Sequence, residues 1–513
     1  MAKRLRSSRQ SGGDCRRYQY DLRSKAKRLK REDKDVNLND NQLINGQNCE
    51  ELSDLNESNM SQTLVIHKFT KMPNKSYNLR RRGAQNNNKS GRRSGEKAST
   101  LTINHLPDDC LLEIFDKLTT IHDKLALQRV SLRFEQLVFR LLRAQKLFTV
   151  GSTFGENSDQ MLTKAVCSSV IKKCPNLQVF KMPGFYTKTN LNLYNSRVGD
   201  REMSKLATSC PDLRELDICG CGNVTEVGIN HVITGCKKIE KLSISFCHEV
   251  TGISLGKLTK NFKTLSLNTN DKTPPLMDCL RSLTNGSGKF ITELNICAYN
   301  ELYSQDNILK LICNDLPLLQ TLRYSIPSKG NIKYGMFGLL TNLTDLVFDC
   351  NSFNLTDTEM IKIMTGCNRL KYLFIRYETI KDFNTLTDYS LRKLPQFCPN
   401  LEKFYFHAKD APLQSATDSM IECFNQFPRL EVLSLKSFEN ISDDSVISLI
   451  QSCPTLSSIY LLNCNKVTNA TIDALIVAAK SQPNKRYKYE IRSTQMKTRK
   501  KKLPVNLIDC SKN

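Results

Sequence analysis

Cys210, Cys219 and Cys221 fall within the twelve residues CPDLRELDICGC. Thiols this close could ligate a metal, form a redox pair or supply a nucleophile, and each chemistry asks for more than proximity. Zinc ribbons, fingers and RING sites need C-x-x-C pairs or histidines four or five apart. No two of the 20 cysteines are spaced as C-x-x-C, and no two of the 6 histidines stand four or five apart. A zinc site assembled from distant residues stays open on this pattern. A thiol enzyme or metalloprotein is disfavoured, because the cysteines keep step with something else.

That something is an internal repeat. CPDLRELDICGC aligns with CKKIEKLSISFC (236–247) and CPTLSSIYLLNC (453–464), sharing C-x-x-L-x-x-L-x-L-x-x-C. The first apolar anchor recurs at Leu177, Leu213, Ile239, Leu265, Ile291, Leu319, Leu343, Leu370, Leu401, Leu430 and Leu456, a period near 26. This lies in the leucine-rich-repeat range. The L-x-L alternation predicts a short strand with one buried face. NVTEVGINHVITGC (223–236) spaces Val227, His231 or Val232, and Cys236 as a helix would, with Thr225, or Ser442 in a later unit, as N-cap. One unit cannot hide both faces, so units stack, each buried Leu contributing roughly 1.5–3 kcal/mol before entropy. The expected fold is α/β, a leucine-rich-repeat solenoid or horseshoe with a parallel sheet on its concave side, over residues 175–491. In this phase Cys210 ends a helix, like Cys174, Cys236, Cys367, Cys398 and Cys453, and Cys221 follows a strand, like Cys247 and Cys464. Both positions read as packing; Cys219 falls on the concave face by parity.

The same parity maps that face. Early units show Asp217, Ser243, Ser245, Ser266 and Asn295. Later ones show Tyr372, Phe374 and Arg376, then Lys403, Tyr405 and His407, then Lys436, then Tyr460. This aromatic and basic strip is the candidate substrate-binding surface, suited to an acidic or phosphorylated protein segment. Tyr and Phe are also common on any half-exposed sheet, and both readings stand.

Ahead of the repeats, LPDDCLLEIFDKL (106–118) places Leu112, Phe115 and Leu118 on one side of a helix, with Leu111 and Ile114 beside them. Pro107 suits its first turn, and Asp108 and Asp109 suit the positive end of its dipole. A second amphipathic run covers 125–142, and 158–174 reads as a connecting helix. The segment 106–137 resembles an F-box, through Leu106-Pro107, the Leu112/Ile114-Phe115 core and the Arg129-Val130-Ser131 turn. The repeats resemble cysteine-containing leucine-rich repeats, in which a Val/Ile-Thr-Asp-x-Gly-like helix start follows the strand. An F-box followed by such repeats is the arrangement of F-box/LRR proteins, substrate receptors of SCF-type ubiquitin ligases.

The resemblance implies a receptor with no active site and no cofactor. Its F-box would dock a Skp-type adaptor that bridges to a cullin-RING ligase, and its repeats would hold a protein substrate. Carried over, the adaptor contacts are Leu106, Pro107, Ile114, Phe115, Leu118, Leu127 and Val130. The family commonly has Trp where this chain has Phe134, and the chain contains no Trp.

The formal charge of +24 is unevenly placed. Residues 1–100 hold 23 Lys+Arg against 11 Asp+Glu, and residues 480–513 hold 11 against 2, so the middle is nearly neutral. Four basic clusters, KRLR (3–6), RSKAKRLKRE (23–32), LRRRG (79–83) and KTRKKK (497–502), suit nuclear import or contact with nucleic acid or chromatin. Tyr20-Asp21-Leu22-Arg23 and Tyr77-Asn78-Leu79-Arg80 are two copies of one short pattern, readable as bivalent docking peptides. No run is apolar enough to span a bilayer and the N-terminus lacks a signal-peptide stretch, so the expected location is nucleus or cytoplasm, with thiols reduced. The expected organisation is a disordered basic region (1–100), the F-box (101–149), a linker helix (150–174), the repeats (175–491) and a basic tail (492–513). The alternative is a repeat scaffold that binds chromatin or nucleic acid through its basic ends and joins no ligase.

Overall fold

This computed structural model describes residues 103–118, 121–149, 164–182, 198–269, 276–298, 305–326, 332–351, 355–378, 385–409, 412–493 and 503–512. The four basic clusters and both Tyr-(Asp/Asn)-Leu-Arg copies lie outside them.

Alternation such as Leu216-Asp217-Ile218 gives a strand one dry and one wet side. Among the described residues fourteen such strands lie side by side in chain order, all parallel, from Leu147–Thr149 at one edge to Leu507–Asp509 at the other. Two further strands, Leu413–Thr417 and Phe438–Asn440, pair with each other apart from this sheet. Helices return the chain between strands, and the fold is a leucine-rich-repeat solenoid. Its curvature follows from spacing: strands stack about 4.8 Å apart, whereas packed helices need about 8–10 Å, so the sheet takes the inner side.

The buried rows run straight across the sheet. Leu216, Leu242, Leu265, Leu294 and Leu322 are register partners, as are Ile218, Ile244, Leu267, Ile296 and Tyr324. This corrects one anchor. Leu265 is a strand residue, and the position equivalent to Ile239 belongs to Phe262, which is fully buried. Any large apolar side chain fills that corner, and the nearest leucine stands three residues further on, in the strand. In the same unit the helix shrinks to a 3-10 turn, Ile253–Lys257, and Tyr334–Leu339 does likewise.

On the helical side, neighbouring units are joined by carboxylates. Asp418 lies in the first turn of helix Asp418–Cys423 and accepts from the next unit, from Ser442 N (2.7 Å), Ser442 Oγ (2.8 Å) and Ser445 Oγ (2.7 Å). Asp443 accepts from Thr468 N (3.0 Å), Thr468 Oγ1 (2.6 Å) and Thr471 N (3.2 Å). Asp200, Asp357 and Asp388 do the same for Thr225, Thr387 and Thr417. The acceptor oxygens meet backbone N–H groups that the first helical turn leaves orphaned. Thr225 caps its own helix, accepting from Val227 N. Ser442 stands at the N-cap but makes no side-chain cap bond; its hydroxyl donates to Asp418.

The N-terminal unit is three helices, α1 (Asp108–Asp116), α2 (Ile121–Leu127) and α3 (Leu132–Ala144). The run expected over 125–142 is broken at Ser131, whose side chain accepts from Phe134 N to start α3. The connecting helix spans Lys164–Lys173. Leu147–Thr149 then pairs with Val179–Met182, so the sheet begins inside the segment assigned to the helical domain. At the other end, the tail expected from residue 492 is corrected. Tyr487–Arg492 completes a repeat strand and Leu507–Asp509 adds a last one beside it, while Asn506 Nδ2 donates to the carbonyls of Ala479, Gln482 and Lys485. An exposed strand edge recruits whatever backbone can cover it.

Burial works to raise the carboxyls of Asp418 and Asp443, but the donated hydrogen bonds outweigh it and hold both below the usual Asp value. Their stabilisation is complete above the unfolded value of about 4 and is lost as pH falls through the lowered folded value. We expect Asp443→Ala to cost about 1–2 kcal/mol in urea unfolding at pH 7, the carboxylate being partly exposed. The gap from wild type should close as the pH is taken below about 4; a gap independent of pH would remove the carboxylate from the account.

Candidate functional site

Parity and register place the strip residues on the sheet face opposite the helices. Tyr372 is partnered with Lys403; Phe374 with Tyr405, then Ser434, then Tyr460; Arg376 with His407, then Lys436. The aromatic rings meet: Tyr372–Tyr405 centroids are 5.3 Å apart, Phe374–Tyr405 5.4 Å and Phe374–His407 4.8 Å. Tyr372, Lys403, Tyr405, His407, Lys436 and Tyr460 are half-buried. Cys219 is also half-buried, at the early end of the row that carries Ser245 and Asn268. There the face is polar, with Asn268 Nδ2 donating to Ser245 Oγ and Asn295 Nδ2 to Ser266 Oγ, while Asn295 Oδ1 is buried without a partner.

Two strip residues are deeper than expected. Phe374 is 2% exposed, and Arg376, expected on the basic side of the strip, is 9% exposed. The Arg376 guanidinium lies over the Phe374 ring, 5.4 Å from its centroid, and 3.5 Å from Asp349 Oδ2. Parity tells which way a side chain points and not how high its neighbours stand. Asp349, missed in the sequence, is register partner of Arg376 and accepts from Ser325 Oγ. The available signal was its parity in Leu346-Val347-Phe348-Asp349. Burial pushes the Asp349 carboxyl up, while Arg376 and Ser325 pull it down and leave it raised. His407 is driven down to about 3 by burial and then by the charges of Lys436 and Arg376, so it is neutral at physiological pH. Its Nε2 shares a hydrogen with Ser434 Oγ at 2.9 Å.

On the helical unit, Ile114 and Val130 are 43% and 63% exposed, Pro107 is exposed, and Leu106, Leu118 and Leu127 are half-buried. Phe115 is a correction. It is 1% exposed and packs edge-on against Phe134 at 4.9 Å, so it is core and cannot reach a partner. The Phe that stands where the family has Trp thus bears on packing. Leu132, 72% exposed, and Ile103, 48%, were missed. Arg133 ties the starts of α3 and α1 together, donating to Asp108 Oδ1, Asn104 O and Leu106 O.

The cysteines of the opening motif divide as their phase predicts. Cys210 and Cys221 are fully buried. Cys236 Sγ donates to Cys210 O and Cys210 Sγ to Cys174 O, one thiol per unit. Burial raises Cys174 and Cys236 to about 12 and Cys210 to about 11, which keeps them as thiols. Among the described residues no three His, Cys, Asp or Glu side chains gather as metal ligands, and no helix is long and apolar enough to cross a membrane.

No family model and no curated protein matches this chain. Among solved structures it is similar to the yeast Rad7–Elc1 complex (18% identity, TM-score 0.46, covering 67% of this chain and 92% of that one). It is similar to an internalin, inlF, from Listeria monocytogenes (15%, 0.37, 78% and 95%) and to the leucine-rich-repeat protein LegL7 from Legionella pneumophila (13%, 0.35, 60% and 97%). The solenoid fold rests on the chain's own strands, fourteen of them in one parallel sheet among the described residues.

Thiol accessibility tests the division directly. Among the described cysteines, maleimide should label exposed Cys110 first and half-buried Cys219, Cys423 and Cys510 more slowly. Cys174, Cys210 and Cys236 should react only after unfolding; rapid native labelling of any of these would contradict a packing role.

Proposed function

We propose that this chain is a non-catalytic substrate receptor of an SCF-type ubiquitin ligase. In this reading α1–α3 dock a Skp-type adaptor and the sheet face holds a protein substrate. The observation that carries it is the exposure of Ile114, Val130 and Leu132 on the small helical unit whose sequence resembles an F-box. Large apolar side chains left in water on an otherwise packed helical unit are what a partner's surface would cover. The adaptor contacts would be Leu106, Pro107, Ile114, Leu118, Leu127 and Val130, with Leu132 added and Phe115 withdrawn to the core. The receptor would act by position, raising the concentration of a substrate lysine near the charged ubiquitin carrier.

The substrate would lie across Tyr372, Tyr405, His407 and Tyr460, with Lys403, Lys436 and Arg376 favouring an acidic or phosphorylated segment. The basic clusters would direct the protein to the nucleus, alongside a cytoplasmic pool, and could engage chromatin there.

A pull-down with the Skp-type adaptor tests the reading. Wild type should retain it, and Leu106→Ala/Pro107→Ala and Ile114→Asp/Val130→Asp should each lose at least tenfold in capture while keeping the wild-type thermal midpoint. Phe115→Ala should instead lower the midpoint, by about 3–5 kcal/mol of stability. Failure of the wild-type chain to bind adaptor would overturn the proposal and favour the scaffold reading.

A further inference from the structure

Arg376 is an anomaly in energetic terms. A buried charge is ordinarily both paired and hydrogen-bonded. The residue as a whole is 9% exposed and its Nε, Nη1 and Nη2 are buried, yet all three lack a hydrogen-bond partner. Asp349 stands at 3.5 Å, near enough for attraction and too far for the forked hydrogen bonds of a structural Arg–carboxylate pair, which close to about 2.7–2.9 Å. Asp349 is itself half-committed, with Oδ2 accepting from Ser325 and Oδ1 unpartnered. Along the same row His407 Nδ1 is buried without a partner, and on the same strand the Tyr372 hydroxyl is too. Lys436 follows next in register. Donors therefore outnumber acceptors, and cations outnumber carboxylates.

We infer that Arg376 is the centre of a binding site for a phosphate-class dianion on the sheet face, with Asp349 as an intramolecular competitor. The competitor sets the selectivity. Asp349 already offers one negative charge at high effective concentration, so a second carboxylate gains little by replacing it. A phosphate brings further charge and three terminal oxygens, enough to take the guanidinium fork and a neighbouring donor at once. Neutral His407 can turn a ring N–H toward such an oxygen without adding a charge that must be buried in the free protein. The inference rests on the sheet face being the substrate surface only as to where the phosphate comes from, a phosphorylated side chain or a free small molecule.

Phosphorus-31 line broadening of inorganic phosphate, titrated with the full chain in the absence of adaptor, reads the site. Arg376→Met should weaken binding at least tenfold, Arg376→Lys should weaken it less, and Asp349→Asn should tighten it severalfold. Lys241→Met, an exposed lysine at the start of an early strand, should change nothing. Thermal midpoints show which variants fold. Should Arg376→Met fail to fold, Arg376→Lys and Asp349→Asn decide. Binding by Arg376→Met equal to wild type, an equal loss in Lys241→Met, or an Asp349→Asn affinity that does not rise would each overturn the inference. A phosphoseryl peptide pool binding more tightly than inorganic phosphate, with its serine counterpart silent, would assign the dianion to a protein; equal affinity would assign it to a small molecule. Because no adaptor is present, loss of this site leaves the pull-down result standing, and the reverse holds.

Discussion

A carboxylate in the first turn of one helix, committed to the first turn of the next, is what the outer layer of this solenoid hangs from. The inner layer needs no such device, because every strand hydrogen-bonds its neighbours along the backbone. Helices form no such backbone ladder with one another, since only the orphaned groups of their first and last turns are free to bond outward. Asp357, Asp388, Asp418 and Asp443 each reach the following Thr or Ser, whose own successor is the next Asp in the first three cases. The dipeptides Thr387-Asp388, Thr417-Asp418 and Ser442-Asp443 therefore each hold one residue bound to the preceding unit's carboxylate and one carboxylate that binds the next unit. Coupling between nearest neighbours is what makes a stack of units cooperate.

The middle of the array shows how the same layer tolerates exceptions. At the 3-10 turn Tyr334–Leu339 the link runs backward, with Gly335 N donating to Glu359 of the following unit at 2.7 Å. The volume that a full helix would fill is taken by Tyr324, Tyr334, Phe337 and Phe348, whose rings lie 5.2–6.0 Å apart. Glu226 serves the 3-10 turn of its neighbour in the ordinary direction, accepting from Gly252 N and Ser254 N.

How much of this was legible in the sequence depended on whether a feature was periodic. Strand phase, helix phase and the role of the cysteines could all be read, because each repeats and an error in one unit is corrected by the others. Leu265 was misplaced because burial at the corner accepts Phe262 as readily as Leu. Depth was not legible at single sites. Phe115 and Arg376 lie on the helix and strand expected of them, yet both are buried, because depth is set by residues such as Phe134 and Asp349 that lie elsewhere in sequence. The last strand, Leu507–Asp509, was hidden for a similar reason: three residues carry no period, and only the edge beside them makes them a strand.

Helix α3 enters the sheet through only Gln145 and Lys146, and the Lys146 carbonyl already accepts from Gln178 N and Val179 N. No slack separates the helical unit from the first strand. The angle between what α3 displays and the sheet face is thus set by residue count, as the teeth of a gear set its phase. One residue added between Ser131 and Lys146 would turn that display by about 100° and shift it by about 1.5 Å. Insertions of a kind that the loops between later strands and helices absorb would here re-aim one whole surface relative to the other.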